Sequence, residues 1–170
     1  MRYKTVSGNA VRDFLDQSPN TRDIGSESQK ILFLDFDGVL HPTAEHLSQP
    51  FSRATFLADF LESVPFCEIV ISSSWRFSYS LQEMVGMLPI SLRERVRATT
   101  GNAYIGRHAR YQEIKAYLGQ LRYRNITWRA LDDFLMEFPE GLPELIYCNP
   151  NFGIQDEQTL KLEKWLKYAV

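Results

Sequence analysis

The sequence predicts an α/β protein built on a doubly wound parallel sheet, and three observations predict it. Two short apolar runs, Ile31-Leu32-Phe33-Leu34 and Ile69-Val70-Ile71, lack the in–out alternation of a half-exposed strand and read as strands buried on both faces. Segments with apolar residues at helical spacing lie between such runs. Strand-like and helix-like segments then alternate along most of the chain, which is the order that builds parallel sheets.

The elements follow in order. Met1 to Gln29 reads as a prefix: Asn9 is placed to cap a short helix, Ala10 to Gln17, with Val11, Phe14 and Leu15 on one face, and Ser18 to Gln29 is a polar, turn-rich linker. The folded domain is expected over residues 30–170. Its first strand, Ile31 to Leu34, leads into a connection, His41 to Pro50, with prolines near both ends. Phe56, Leu57, Phe60, Leu61 and Val64 mark a helix within 51–64, which Pro65 stops. After the second strand, Leu81, Met84, Val85 and Leu88 predict a helix over 78–88, and 92–96 reads as a short basic helix or turn. Ile114, Tyr117, Leu118 and Leu121 place a third helix at 107–121. Thr127 to Leu131 and Leu145 to Cys148 are the later strands, and Leu162, Trp165 and Leu166 mark the inner face of a closing helix over 160–168.

Composition bounds the function. The 170 residues, 44% hydrophobic and 24% charged, suit one globular domain. A net charge of −2 gives no bulk attraction to nucleic acid or to an anionic membrane. No apolar run approaches the ~18 residues of a membrane span, and the first residues lack the apolar core of a signal peptide. Cys67 and Cys148, each in an apolar stretch, read as two buried, reduced thiols, so a cytoplasmic setting is expected.

In doubly wound sheets ligands bind at the carboxyl ends of strands, so the residues just past each strand carry the chemistry. Asp35-Phe36-Asp37-Gly38 follows the first strand and places two carboxylates on one side of an extended segment, with Gly38 free to turn. Ser72-Ser73-Ser74-Trp75-Arg76 follows the second and supplies hydroxyls, amides and a guanidinium. Asp132-Asp133 closes a later one. Carboxylates from two strand ends with hydroxyl and cationic groups between them suit a phosphate and Mg²⁺ pocket, since clustered like charges need a cation and Mg²⁺ prefers hard oxygen ligands.

The run Ile-Leu-Phe-Leu-Asp-Phe-Asp-Gly-Val-Leu, followed by Ile-Val-Ile-Ser and Ala-Leu-Asp-Asp, resembles the haloacid dehalogenase (HAD) superfamily of phosphotransferases over roughly residues 30–170. With Ser-Ser-Ser-Trp-Arg it further resembles the small HAD domains associated with Swiss-army-knife RNA repair proteins. The resemblance implies a Mg²⁺-dependent phosphomonoester hydrolase working through an aspartyl-phosphate. Asp35 would be the nucleophile and Asp37 the acid and then the base. Mg²⁺ would be held by Asp35, the main-chain carbonyl of Asp37, and Asp132 or Asp133. Ser72 is the favoured phosphate-binding hydroxyl, with Ser73 and Ser74 as rivals. Of the basic residues that could fill the remaining motif, Arg107, Arg110 and Lys115, the favoured one is Arg110, near the start of its helix, while Lys115 is expected to face solvent. Arg76 would either grip phosphate or pin the nucleophile loop. The short connection at 41–53 leaves no room for a large cap, which admits bulky substrates. Nucleic-acid ends or nucleotides are placed ahead of small metabolites, with no membrane and no obligate protein partner. Transfer to an acceptor other than water is not separable from hydrolysis at this level.

Other readings weigh less. An EF-hand loop starting at Asp35 would need a glutamate where His46 stands. A receiver domain would carry its paired carboxylates as neighbours after the first strand. A HAD fold kept only to bind RNA or protein would have no reason to retain Asp35, Asp37 and Asp132. His41, His46 and His108 read as surface or loop residues, and Trp75, Trp128 and Trp165 as core or rim. Arg93, Arg95 and Arg97, with Arg122 and Arg124, read as a solvated basic face, against the sharper option of a nucleic-acid track.

Overall fold

The structure, a computed structural model, describes residues 29–45, 48–122 and 125–168. The predicted helix at 10–17, His46 and Arg124 lie outside them. Five strands form one all-parallel sheet: β1 (Gln29–Leu34), β2 (Glu68–Ile71), β3 (Val96–Thr99), β4 (Ile126–Asp132) and β5 (Leu145–Tyr147), in the order β3-β2-β1-β4-β5. The chain first builds outward from β1 through β2 to β3, then returns to the other side of β1 for β4 and β5. That reversal makes the carboxyl end of β1 the topological switch point.

Alternate residues of each strand divide between two cores, as a period of two requires. Leu32, Leu34, Ile69, Ile71 and Leu131 join Leu57 and Leu61 of α1 (Ala54–Glu62), Met84 of α2 (Leu81–Gly86), Leu92 of α3 (Ile90–Arg93) and Leu162, Trp165 and Leu166 of α5 (Asp156–Tyr168). Ile31, Phe33, Val70 and Ala130 face the other way, onto Ile114 and the aromatic flank of α4 (Ala109–Gln120). Phe33 meets Tyr117 and Trp128 edge-on at 5.8 and 5.7 Å. Both faces of the sheet are therefore covered, which is why its inner strands read as unbroken apolar runs.

The sequence reading is corrected at one element. The stretch read as a basic helix or turn at 92–96 divides into α3, which ends at Arg93, and the edge strand β3. β3 has four residues and exposes Arg97, the short, charged build by which sheet edges avoid further pairing. Arg93, Arg97 and Arg122 are exposed, as a solvated basic face requires, while Arg95 is half-buried. Arg93 donates to the carbonyls of Leu88 and Gly86, Arg95 to that of Leu61, and Arg97 pairs with Glu68, so these side chains also tie helix ends and a strand start together. Between β1 and α1 the described residues hold a single 3-10 turn, Thr43–Glu45, and no large cap is present. No helix among the described residues is long and apolar enough to cross a membrane. Cys67 and Cys148 are free and buried, and burial pushes the Cys67 thiol up to about 11.

Candidate active site

The strand-end residues are held in register by main-chain bonds one step past the strands. Asp35 donates to Leu131 O (3.1 Å), Ser72 to Leu34 O (2.9 Å), Thr100 to Ile71 O (2.9 Å) and Cys148 to Asp132 O (3.0 Å). These bonds continue the ladder beyond β1, β2, β3 and β5 and line the loops along one edge of the sheet.

On that edge three carboxylates converge. Asp35, Asp132 and Asp133 each bring an oxygen within 4.8 Å of the other two. Asp35 accepts from the Phe36 N–H through Oδ1 (2.8 Å), and Asp132 accepts from the Phe134 N–H through Oδ1 (2.9 Å). The remaining oxygen of each, Oδ2, meets the same atom, Arg110 Nη1, at 3.0 Å. Arg110 is the basic residue that the sequence reading favoured. It stands in the first turn of α4, where its N–H donates to Glu137 (2.9 Å) and fixes the helix start. Arg107 and Lys115 are exposed, as was expected of Lys115.

Gly38 permits this convergence. Its φ is +66°, and a Cβ there would lie 2.0 Å from Asp133 Oδ2. The loop after β1 and the end of β4 thus meet at a spacing only glycine allows.

One guanidinium does not offset three clustered carboxylates. Burial and the neighbouring Asp35 raise Asp132 from the ordinary carboxylate range to about 8, and the same two causes raise Asp133 to about 6. A hard, oxygen-only donor set with excess negative charge suits a divalent cation of the Mg²⁺ type. Because the folded state holds these two protons more tightly than the unfolded chain, the metal-free protein loses stability as pH rises through the window from about 4 to about 8. We expect its melting temperature to fall between about pH 5 and about pH 8, and added Mg²⁺ to raise it more at the upper value, since binding must displace the protons. Calorimetric scans with and without EDTA check this.

The other predicted residues separate into distinct placements. Ser72 is buried, and its Oγ has no hydrogen-bond partner among the described residues. A lone buried hydroxyl at a strand end is a cost unless a ligand meets it. Ser73 caps the 3-10 turn Ser74–Phe77 by accepting from the Trp75 N–H (3.4 Å). Arg76 is spent inside the protein. Its Nη1 donates to Ser72 O (2.7 Å) and Ser73 O (2.8 Å), its Nε to Gly101 O (3.2 Å), and its Nη2 pairs with buried Glu113 of α4. Of the two roles open to it, the geometry is that of pinning the loop after β2.

Asp37 stands apart from the three clustered carboxylates. It is partly exposed; its Oδ1 lies 3.0 Å from His41 Nε2 and its Oδ2 accepts from Trp75 Nε1 at 2.8 Å. Its carboxylate is not among the three that converge. One expectation changes here: His41 is fully buried beside Asp37 instead of lying on a loop surface. Trp75 packs at the rim of the core, as expected, and also aims its N–H at a site carboxylate. Neither contact had a signal in the sequence beyond the four-residue spacing of Asp37 and His41.

A family model described as "HAD domain in Swiss Army Knife RNA repair proteins" matches residues 31–159. No curated protein and no solved structure matches the chain.

Proposed function

We propose, from the premise that the chain belongs to the family of HAD domains found in Swiss Army Knife RNA repair proteins, that it hydrolyses phosphomonoesters through an aspartyl-phosphate on Asp35. The single observation that carries this reading is the convergence of Asp35, Asp132 and Asp133 within 4.8 Å, with Arg110 bridging Asp35 and Asp132. Asp35 suits the nucleophile. It is held on one oxygen by the Phe36 N–H and on the other by Arg110, so its carboxylate is positioned before substrate arrives.

A Mg²⁺ ion would be held by Asp35, Asp132, Asp133 and the main-chain carbonyl of Asp37, and when bound it supplies positive charge for the phosphoryl oxygens. The chain's own residues do the rest. An Asp35 oxygen attacks phosphorus as the bond to the ester oxygen breaks, and that oxygen takes the proton of the Asp37 carboxyl group. Asp37, now ionised, takes a proton from water as the water oxygen attacks phosphorus. The bond to Asp35 then breaks and releases phosphate. Ser72 Oγ donates to a phosphoryl oxygen, which gives that buried hydroxyl the partner it lacks. Arg110 keeps Asp35 aimed, and Arg76 keeps the Ser72 loop in place.

The absence of a large cap leaves the edge open to bulky esters, so nucleic-acid ends and nucleotides rank first among substrates. Two free, buried thiols fit a cytoplasmic setting. We expect phosphate release from p-nitrophenyl phosphate and from end-phosphorylated oligonucleotides that depends on Mg²⁺ and stops with EDTA. A phosphomonoester screen with no Mg²⁺-dependent turnover would overturn the reading.

A further inference from the structure

We propose that His41, together with Trp75, is a positioning residue that fixes the Asp37 carboxyl group for proton delivery to an alkoxide, so that the site is built for phosphate esters of alcohols. The inference rests on the assignment of Asp37 as the acid, and extends it to residues outside the acidic cluster and to the class of leaving group.

Main-chain geometry fixes the His41 ring. His41 is fully buried, and its Nδ1 accepts a hydrogen bond from the Phe51 N–H at 3.2 Å. An imidazole nitrogen that accepts carries no proton, so the proton sits on Nε2, which donates to Asp37 Oδ1 at 3.0 Å. The indole of Trp75 can only donate, and it donates to Oδ2 at 2.8 Å. Both carboxyl oxygens are thereby held from one side, and the group cannot swing. Each oxygen keeps a lone pair for the proton that the reaction moves.

The clamp is braced from behind. Phe51 meets His41 edge-on at 5.6 Å and Trp75 at 5.5 Å, and Phe36 meets Trp75 at 5.8 Å. Phe51 has a φ of +62°, an unfavourable conformation for an aromatic residue, and it is this backbone whose N–H meets His41. A strained backbone, a buried histidine and a tryptophan N–H all converge on one partly exposed carboxyl group.

In front of the carboxyl group lies a cleft of about 510 Å³ lined by Asp37, Thr43, Ser74, Trp75, Ser78 and Tyr79. It offers hydroxyls and the paired rings of Trp75 and Tyr79, 5.3 Å apart, and among the described residues no cationic side chain lines it. Such a surface accepts a neutral, hydroxyl-bearing alcohol group next to the scissile ester. An alkoxide is a poor leaving group and needs the proton as the bond breaks, whereas an acidic phenolate leaves without one. A fixed acid matters only for the first.

The test compares kcat/KM, which covers only the steps up to departure of the leaving group, on an acidic aryl ester and on an alkyl ester. The aryl ester is p-nitrophenyl phosphate; the alkyl ester is the better of β-glycerophosphate and an end-phosphorylated oligonucleotide. In His41→Leu we expect the alkyl value to fall about 100-fold and the aryl value by far less. His41→Gln, which keeps a donor, should recover much of the alkyl loss. Trp75→Phe, which keeps a ring and loses the N–H, should show the same dependence on leaving group. Equal falls on both esters, or no alkyl fall in either His41→Leu or Trp75→Phe, would overturn the inference while leaving the phosphatase reading intact. Wild-type protein that turns over neither ester with Mg²⁺ would overturn both.

Discussion

Asp35→Asn is expected to lower phosphomonoester turnover by at least about 10⁴-fold and to abolish any phosphorylated form of the protein. The expectation follows from where each carboxylate is placed. Asp35 lies among the clustered acids with both oxygens engaged, one by the Phe36 N–H and one by Arg110. Asp37 has its oxygens turned to His41 and Trp75 and is not among the three carboxylates that converge. Asp132 is tied to Phe134 and Arg110 at the end of β4. Asp133, past the end of β4 and packed against Gly38, does not stand at the end of β1 either, so no neighbouring carboxylate takes the place of the lost nucleophile. The asparagine itself is a weak nucleophile, and its amide cannot accept from both the Phe36 N–H and Arg110, so one of those contacts is lost. Against that, removing a negative charge relieves the repulsion that raises Asp132 and Asp133. The two effects on stability oppose each other, and the variant should melt within a few degrees of wild type. Acid-quenched protein examined by mass spectrometry should carry one added phosphoryl group in wild type and none in the variant. Turnover that survives the substitution removes Asp35 from the mechanism.

The parts of this site that the sequence makes legible are those set by one strand and its end. β1 and β2 announce themselves because a parallel sheet covered on both faces leaves their side chains no polar face to alternate with. Asp35, Ser72 and Asp132 are then found by position alone, since the carboxyl ends of such strands share one edge. Arg110 follows from the periodicity of α4, which puts the first turn over that edge. What stays hidden depends on how loops fold back. β3 is too short and too charged at Arg97 to read as a strand, because a sheet edge is selected against looking like one. Arg76 and Glu113 are 37 positions apart, and nothing local says that a guanidinium near a phosphate loop is already committed to a buried partner. His41 looks like a loop histidine beside a proline. Its burial depends on Phe51, ten residues on, adopting a positive φ that no sequence pattern favours. The chemistry is thus written at strand ends, while the residues that aim it are written in contacts between loops.

Arg110→Ala should be the most destabilising single change in the site for the metal-free protein. One nitrogen, Nη1, lies 3.0 Å from both Asp35 and Asp132, and the side chain is nearly buried, so its removal leaves two carboxylates without their shared cation. Removing one partner of a buried ion pair costs about 3–5 kcal/mol. The carboxylates can limit that cost by taking up protons, which fixes how the defect varies with pH. Asp132 and Asp133 already have raised pKa values, and without Arg110 they rise further. At about pH 5 both are largely protonated and the lost cation is felt mainly at Asp35; at about pH 9 they are charged or must be kept neutral at a cost, and the full penalty is present. The difference in melting temperature from wild type should therefore widen as pH rises. Mg²⁺ should narrow it, because a cation bound to the same carboxylates replaces the missing charge. Arg110→Lys gives the discriminating comparison. Both pairs run through a single nitrogen, so a lysine that reaches the cluster supplies the charge without the guanidinium fork, and it should retain most of the stability that alanine loses. Turnover should still fall in both variants, steeply in alanine, because Asp35 is no longer held for attack. An Arg110→Ala protein that melts with wild type at high pH in EDTA would mean that the acidic cluster carries no uncompensated charge, and the case for a divalent cation there would lose its electrostatic basis.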